Sequence, residues 1–104
     1  MKRIIDGKRY DTATAAEVHL WENGREANDF HARSKTLFRT PKGKWFLLHE
    51  GGPMTDMAER CGSNSWTGSE SIEPISEADA RAFLESHGGT TAMEKYFSDV
   101  IEDA

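Results

Sequence analysis

The sequence predicts an α+β fold, in which a small antiparallel sheet built from hairpins is covered by three to four short helices. Two stretches rich in aromatic and branched residues each surround a turn sequence, which is typical of hairpins. The last third of the chain instead spaces its apolar residues as helices do. A length of 104 residues suits one domain, and we take residues 1–104 as a single domain.

The first 24 residues predict a hairpin followed by a helix. Two isoleucines precede the Asp-Gly pair at residues 6–7, and both turn residues tolerate the positive φ angles of a type I′ turn. A capping-box pattern begins at Thr14, and Gly24 suits the left-handed position after a helix. We therefore expect a helix over residues 13–23.

The centre of the chain predicts a second hairpin. Residues 35–40 and 44–49 are rich in aliphatic and aromatic side chains and flank a Pro-Lys-Gly turn at residues 41–43. This hairpin is expected to supply much of the core, through Leu37, Phe38, Trp45, Phe46, Leu47 and Leu48.

The next segment predicts a helix, a loop and a strand. Apolar residues at helical spacing indicate a short helix over residues 54–61, and Gly, Ser and Asn dominate a loop over residues 62–71. Residues 71–75 suit a strand at the edge of the sheet, because Pro74 has no N–H to donate to a neighbouring strand.

Two acidic amphipathic helices are expected to close the chain. The first follows a cap at Ser76 and stops at the glycine pair 88–89, and the second begins near Thr91. Their apolar faces are Ala80, Phe83 and Leu84 in the first, and Met93, Phe97, Val100 and Ile101 in the second.

No pattern in the sequence predicts an enzyme, a cofactor site or a metal site. The four histidines, His19, His31, His49 and His87, show no metal-ligand spacing, and His19 with Glu22 is expected to be a surface pair on a helix. Cys61 falls on an apolar face and is interpreted as a small buried side chain. The Gly/Ser loop lacks the lysine and the following helix of a phosphate-binding loop. A third alternative is a small hydrolase or toxin that uses Cys61 or a histidine.

Charge is divided unevenly along the chain. Residues 1–44 carry ten Lys/Arg and six Asp/Glu, whereas residues 45–104 carry three and twelve, for an overall net charge of −5. Such a run of acids is typical of a solvated surface, or of an anionic surface that occupies a nucleic-acid groove on another protein. In the second interpretation the carboxylates converge on one patch, and the candidates are Glu70, Glu73, Glu77, Asp79, Glu85, Glu94, Asp99, Glu102 and Asp103.

Two further features bear on binding. Lys35, Arg39, Lys42 and Lys44 surround Phe38 and Trp45 in the central hairpin, a composition that suits either a nucleic-acid contact or a charged edge that prevents aggregation. In the polar loop, Trp66 either closes the edge of the core or is an aromatic anchor for a partner.

Several segments together resemble one family of small acidic proteins from phages, plasmids and other bacterial mobile elements. They are residues 5–12 (IDGKRYDT), the helix end at 23–24, residues 37–47 (LFRTPKGKWFL), residues 50–54 (EGGPM) and residues 62–70 (GSNSWTGSE). The resemblance covers nearly the whole chain. Some members of this family are anti-CRISPR proteins, so the resemblance implies binding to a CRISPR effector of the Cascade type and blocking of its DNA site without catalysis.

We therefore expect a non-enzymatic inhibitor whose partner is a protein with a basic nucleic-acid-binding groove, and which does not itself bind nucleic acid. The alternative is a small regulatory module that contacts nucleic acid through the central hairpin. The longest apolar run, residues 45–48, is far shorter than the roughly 20 residues that span a bilayer, and no signal-peptide core follows residues 1–3. The protein is accordingly expected in the cytoplasm of a bacterial host, without membrane contact.

Overall fold

The computed structural model describes residues 1–24, 32–52, 59–60, 66–67 and 69–101. Within these ranges the chain is α+β, as predicted. The strands are β1 (Lys2–Ile5), β2 (Lys8–Asp11), β3 (Ala16–Glu22), β4 (Arg33–Arg39), β5 (Trp45–Gly51), β6 (Glu59–Arg60), β7 (Trp66–Thr67) and β8 (Ser69–Ile75). The helices are α1 (Glu77–Ser86), α2 (Thr90–Tyr96) and a 3₁₀ turn (Ser98–Val100).

A four-stranded antiparallel sheet forms the middle layer, in the order β3-β4-β5-β8. β1 pairs with β2, and β6 pairs with β7, in separate two-stranded ribbons. Side chains alternate between the two faces of a strand. Because both faces of β4 and β5 carry large apolar residues, each face builds a core of its own.

One core lies between the sheet and the helices. Leu37 is completely buried there, and Trp45 stacks on Phe97 with 5.1 Å between the ring centroids. We call this side of the sheet the helix face. Its buried residues are Leu37, Trp45, Leu47, Ala80, Phe83, Leu84, Ala92, Met93 and Phe97.

The other core lies between the sheet and the β1–β2 ribbon, and we call this side the hairpin face. Phe46 is completely buried, stacks on Phe38 at 5.1 Å and meets the ring of Tyr10 edge-on at 5.6 Å. The ribbon's turn has φ angles of +51° at Asp6 and +75° at Gly7, which confirms the predicted N-terminal hairpin and its turn.

Three other predictions are confirmed. The central hairpin is the β4–β5 pair, and β8 is an edge strand that contains Pro74. α1 begins as expected, because the Ser76 hydroxyl accepts the Asp79 N–H at 3.1 Å and so satisfies one of the free amides of the first turn.

The helix predicted over residues 13–23 is wrong, since most of this segment is β3. Asp11 directs the chain into a turn instead of a helical cap. Its carboxylate accepts the Ala13 N–H at 2.9 Å, and its carbonyl accepts the Ala15 N–H at 3.0 Å.

A bulge in β3 explains why the strand looked helical. The pairing with β4 shifts register between Glu17 and His19. As a result Val18 and Trp21, three residues apart, both pack on the helix-face core. A spacing of three on one face is normally a helical signal, and here an extra residue in a strand produces it.

The helix count was also too high. Among the described residues there are two α-helices and a 3₁₀ turn. Of the helix expected over residues 54–61, residues 59–60 are a strand and the others lie outside the described residues. Of the loop expected over residues 62–71, residues 66–67 form β7, residues 69–71 belong to β8, and the others lie outside the described residues. The last helix stops at Tyr96, so Val100 and Ile101 are not on its buried face and stay 52% and 42% exposed.

A substitution at Gly89 would test how closely α1 packs against the turn that follows it. A Cβ atom at Gly89 would lie 2.5 Å from Leu84 Cδ2 and 3.1 Å from Leu84 Cα, and Leu84 is only 1% exposed. We expect Gly89→Ala to lower the free energy of unfolding by about 1–3 kcal/mol, because this core has no room for another carbon.

Thermal unfolding measures the effect, at about 4–8 °C per kcal/mol for a domain of this size. Gly88→Asn is the matched control. Gly88 has a φ of +75° and open space around it, and asparagine tolerates that φ. Equal losses in the two variants would contradict the steric explanation.

Candidate partner-binding surface

The predicted acidic residues are on the surface wherever the structure describes them. Glu70, Glu73, Glu77, Asp79, Glu85, Glu94 and Asp99 are all exposed. Glu102 and Asp103 lie outside the described residues, and so does the side chain of Trp66. The described acids are therefore accessible to a partner, but their directions differ.

On β8 the two acids leave opposite faces of the sheet. Glu70 and Glu73 are three residues apart, and an odd separation along a strand reverses the side. Glu73 lies opposite Leu47 on the helix face, whereas Glu70 lies opposite Glu50 on the hairpin face. These two carboxylates therefore do not contribute to one patch.

The acids of α1 are divided as well. Glu77 and Glu85 lie on one stripe of the helix at i and i+8, with Arg81 between them at i+4. Asp79 is two residues from Glu77, which is about 200° around the helix. α1 therefore presents carboxylates on two flanks, and one of those flanks includes a cation.

The strand register gathers a different set of acids. Glu22 lies opposite Ser34, Ser34 lies opposite Glu50, and Glu50 lies opposite Glu70. Residues directly opposite each other point to the same face, so these side chains form a line across all four strands on the hairpin face. All three glutamates are exposed. We call Glu22, Glu50 and Glu70 the acidic row.

Sequence reasoning missed two members of this row. Glu22 was expected on a helix in a surface pair with His19, and Glu50 is not among the predicted residues. The alternation of Phe46, Leu48 and Glu50 does place Glu50 on the hairpin face. Only the pairing of strands distant in sequence places it beside the other two.

The acidic row is electrostatically unfavourable in the isolated protein. Opposite residues on neighbouring strands have Cβ atoms about 4.5–5.5 Å apart, so Glu50 and Glu70 repel each other directly. Glu22 stands about 10 Å from Glu50, two strands away. Among the described residues no cation forms an ion pair with any of the three carboxylates. A cationic partner would relieve this repulsion.

On the helix face, His49 links three strands. The guanidinium of Arg33 donates from Nη2 to His49 Nδ1 at 2.9 Å, and His49 Nε2 is 2.8 Å from Glu73 Oε1. Arginine can only donate, so Nδ1 must be the acceptor and the ring proton must reside on Nε2. Glu73 is thus already engaged by the protein's own histidine, unlike the acidic row.

Hydrogen bonds orient the rings of the three described histidines. Both ring nitrogens of His49 are occupied. His19 Nε2 donates to the carbonyl of His87 at 2.8 Å, and His87 Nδ1 donates to the carbonyl of Phe83 at 2.8 Å. His19 is on a strand, so the helical pair expected with Glu22 was wrong, because the two side chains leave opposite faces.

Within the described ranges no three side chains among His, Cys, Asp and Glu are grouped closely enough to bind one metal ion. Cys61 and His31, the other candidates for chemistry, lie outside the described residues.

The aromatic residues of the central hairpin are not available to stack on bases. Phe38 and Trp45 are only 7% and 5% exposed. The guanidinium of Arg39 covers the rings of Trp45 and Tyr96 at 5.4 and 5.6 Å, so it is held against the protein's own surface. The cations of this hairpin that extend freely into solvent are Lys42 and Lys44.

An aliphatic cleft opens beside the acids of the helical layer. It has a volume of about 400 Å³, and buried Leu84 and Met93 lie at its base. Val100 and Ile101 line it and remain about half exposed, and Glu85 stands at its border. Arg81 also lines the cleft, so its apolar side chains are bordered by one carboxylate and one cation.

Comparisons with known protein families, with curated proteins and with solved structures give no match. The resemblance noted in the sequence therefore stays a prediction. None of the helices in the described ranges is both long enough and apolar enough to cross a bilayer.

The hydrogen bonds of His49 can be tested by NMR. The ¹⁵N shifts and long-range couplings of its ring should show the Nε2–H tautomer, because Arg33 donates to Nδ1. Replacing the donor in Arg33→Met should reduce this preference, whereas Glu22→Gln, on the opposite face, should leave it unchanged. A dominant Nδ1–H tautomer in the unmodified protein would contradict the arrangement.

Proposed function

We propose that this protein is a non-enzymatic inhibitor that binds a nucleic-acid-binding protein and blocks its DNA site with a carboxylate surface. The observation that carries the proposal is the acidic row, Glu22, Glu50 and Glu70, held in register on the hairpin face. A groove that binds DNA is lined with Lys and Arg to match one negative charge per about 1.7 Å of duplex axis. A line of carboxylates is complementary to such a groove.

Preorganisation supports this function. The three glutamates of the row are attached to strands whose spacing is set by backbone hydrogen bonds, so binding need not order the backbone beneath them. They also repel one another, and a cationic groove would remove that repulsion. Glu77, Asp79, Glu85, Glu94 and Asp99 add negative charge in the helical layer, on the other side of the sheet from the row, where Arg81 and Lys95 are the only described cations.

Charge alone does not supply tight binding. An exposed ion pair contributes about 0–1 kcal/mol, so three pairs at the acidic row give at most about 3 kcal/mol. Further affinity must come from buried apolar contacts. The predicted anchor Trp66 is one candidate for such a contact, whereas the cleft lined by Val100 and Ile101 lies in the helical layer, across the sheet from the row.

The family resemblance suggests the partner. We infer that the protein acts as an anti-CRISPR in the bacterial cytoplasm, where it binds a CRISPR effector of the Cascade type and excludes its target DNA. The alternative regulatory module, with nucleic acid bound at the central hairpin, has less support because Phe38 and Trp45 are buried and Arg39 is stacked on Trp45 and Tyr96.

The inhibitor function is tested with a purified Cascade-type effector and a labelled target duplex. The protein should prevent DNA binding, DNA should displace the protein, and added salt should weaken the complex, because screening reduces attraction between exposed charges. Simultaneous binding of the DNA and of this protein to the effector would contradict occlusion of the DNA site. If the effector does not bind, pull-down from a host lysate with the same variants tests the acidic surface on other nucleic-acid-binding proteins.

Two variants that lose the same number of charges show which surface binds the effector. The triple variant Glu22→Gln, Glu50→Gln, Glu70→Gln should weaken effector binding by about tenfold to a hundredfold, from the loss of three ion pairs. The control is Asp6→Asn, Asp11→Asn, Glu17→Gln, which removes three charges outside the row and keeps the Asp11 hydrogen-bond acceptor. Equal effects of the two variants would show that only net charge matters.

A further inference from the structure

The β1–β2 ribbon carries a concentrated positive charge on a protein of net charge −5. Lys2, Arg3, Lys8 and Arg9 are all exposed. In the part of the chain that the structure describes, none of these four side chains forms an ion pair or a hydrogen bond. The ribbon therefore presents four cations without an ion-pair partner within two short strands, beside the two carboxylates of Asp6 and Asp11.

An exposed isoleucine lies among these cations. Ile4 is 69% exposed and stands directly opposite Arg9, with Lys2 two residues away on the same face. Asp11 also points outward, but its carboxylate accepts the Ala13 N–H at 2.9 Å. The outward face of the ribbon thus presents Ile4 bordered by Lys2 and Arg9, with the Asp11 carboxylate opposite Lys2.

The ribbon holds this arrangement rigidly. Four cross-strand pairs fix the register from the open end to the turn. Tyr10, which is 7% exposed, and half-buried Ile5 pack the inner face against the sheet. The cations are therefore fixed to a platform, which lowers the cost of ordering them on binding.

We propose that the β1–β2 ribbon binds duplex DNA, with its cations on the phosphates and Ile4 directed to the base edges. The major groove admits a two-stranded β-ribbon, and apolar side chains can contact the thymine methyl group there. Arg3 and Arg9 suit phosphate because a guanidinium can donate two parallel hydrogen bonds to it.

The directions of the four cations favour a groove over a flat acidic protein surface. Lys2 and Arg9 leave the outward face of the ribbon, whereas Arg3 and Lys8 leave the other face at its margins. Phosphates on both walls of a groove can contact all four side chains. A flat acidic surface on a protein partner would contact only Lys2 and Arg9, the two cations on the outward face.

The inference does not rest on the proposed function, because it concerns the β1–β2 ribbon and a different set of charges.

Binding of DNA to the ribbon should be modest and strongly dependent on salt. At most four phosphates are neutralised, so the slope of log K against log salt should be no steeper than about −3.6. The acidic row and the helices will repel DNA, so only approach through the ribbon is favourable.

Fluorescence anisotropy with a labelled duplex at low salt tests the site. The wild-type protein should bind, and Lys2→Gln, Arg3→Gln, Lys8→Gln, Arg9→Gln should weaken binding at least about tenfold. The control removes the same charge elsewhere, with Lys42→Gln, Lys44→Gln, Arg81→Gln and Lys95→Gln, and should weaken it by less than about threefold, because distant cations contribute only through the overall field. Thermal unfolding verifies that both variants fold.

If the variant with four substitutions unfolds, a variant with two substitutions still tests the proposal. Lys2→Gln with Arg9→Gln changes only the outward pair and should still weaken binding several-fold, while Ile4→Ser should reduce the preference for thymine-containing duplexes. The proposal is overturned if the wild-type protein does not bind, if the control variant loses as much affinity, or if polyglutamate displaces the duplex as well as unlabelled DNA does. Effector binding by the ribbon variants separates this site from the acidic row.

Discussion

The antiparallel pairing of β4 with β5 is the constraint on which the other layers depend. Alternate residues of the pair are buried on opposite faces, with Leu37 and Leu47 under the helices and Phe38 and Phe46 under the β1–β2 ribbon. A slip of one residue would exchange the two sets and expose both cores. The helices and the ribbon can pack on the sheet only because this register holds.

The same register organises the charges. Beyond the apolar part of the sheet it lines up three glutamates on the hairpin face, and it brings His49 between Arg33 and Glu73 on the helix face. Cations concentrate on the ribbon, whereas acids dominate the helical layer. The ribbon cations and the acidic helical layer lie on opposite sides of the sheet, whereas the acidic row lies on the same side as the ribbon.

Local sequence patterns correctly predicted the elements whose conformation is set by their own residues. The Asp6-Gly7 turn, the Ser76 cap and the edge position of Pro74 each follow from the conformational limits of one or two residues. They failed at β3, where a bulge places Val18 and Trp21 on one face with helical spacing. Pairing with β4 overrides the local preference there, and the sequence around β3 carries no sign of that partner.

By itself the sequence determined the α+β class, the two hairpins, α1 and the acidic character of the second half, because alternation, turn residues, caps and charge are local properties. Only the tertiary structure decided which acids stand together. Glu22, Glu50 and Glu70 come from strands far apart in the chain, and they meet because β3, β5 and β8 pair around β4 in one register. Glu70 and Glu73 are neighbours in sequence and yet separate, since a pleated strand sends residues three apart to opposite faces.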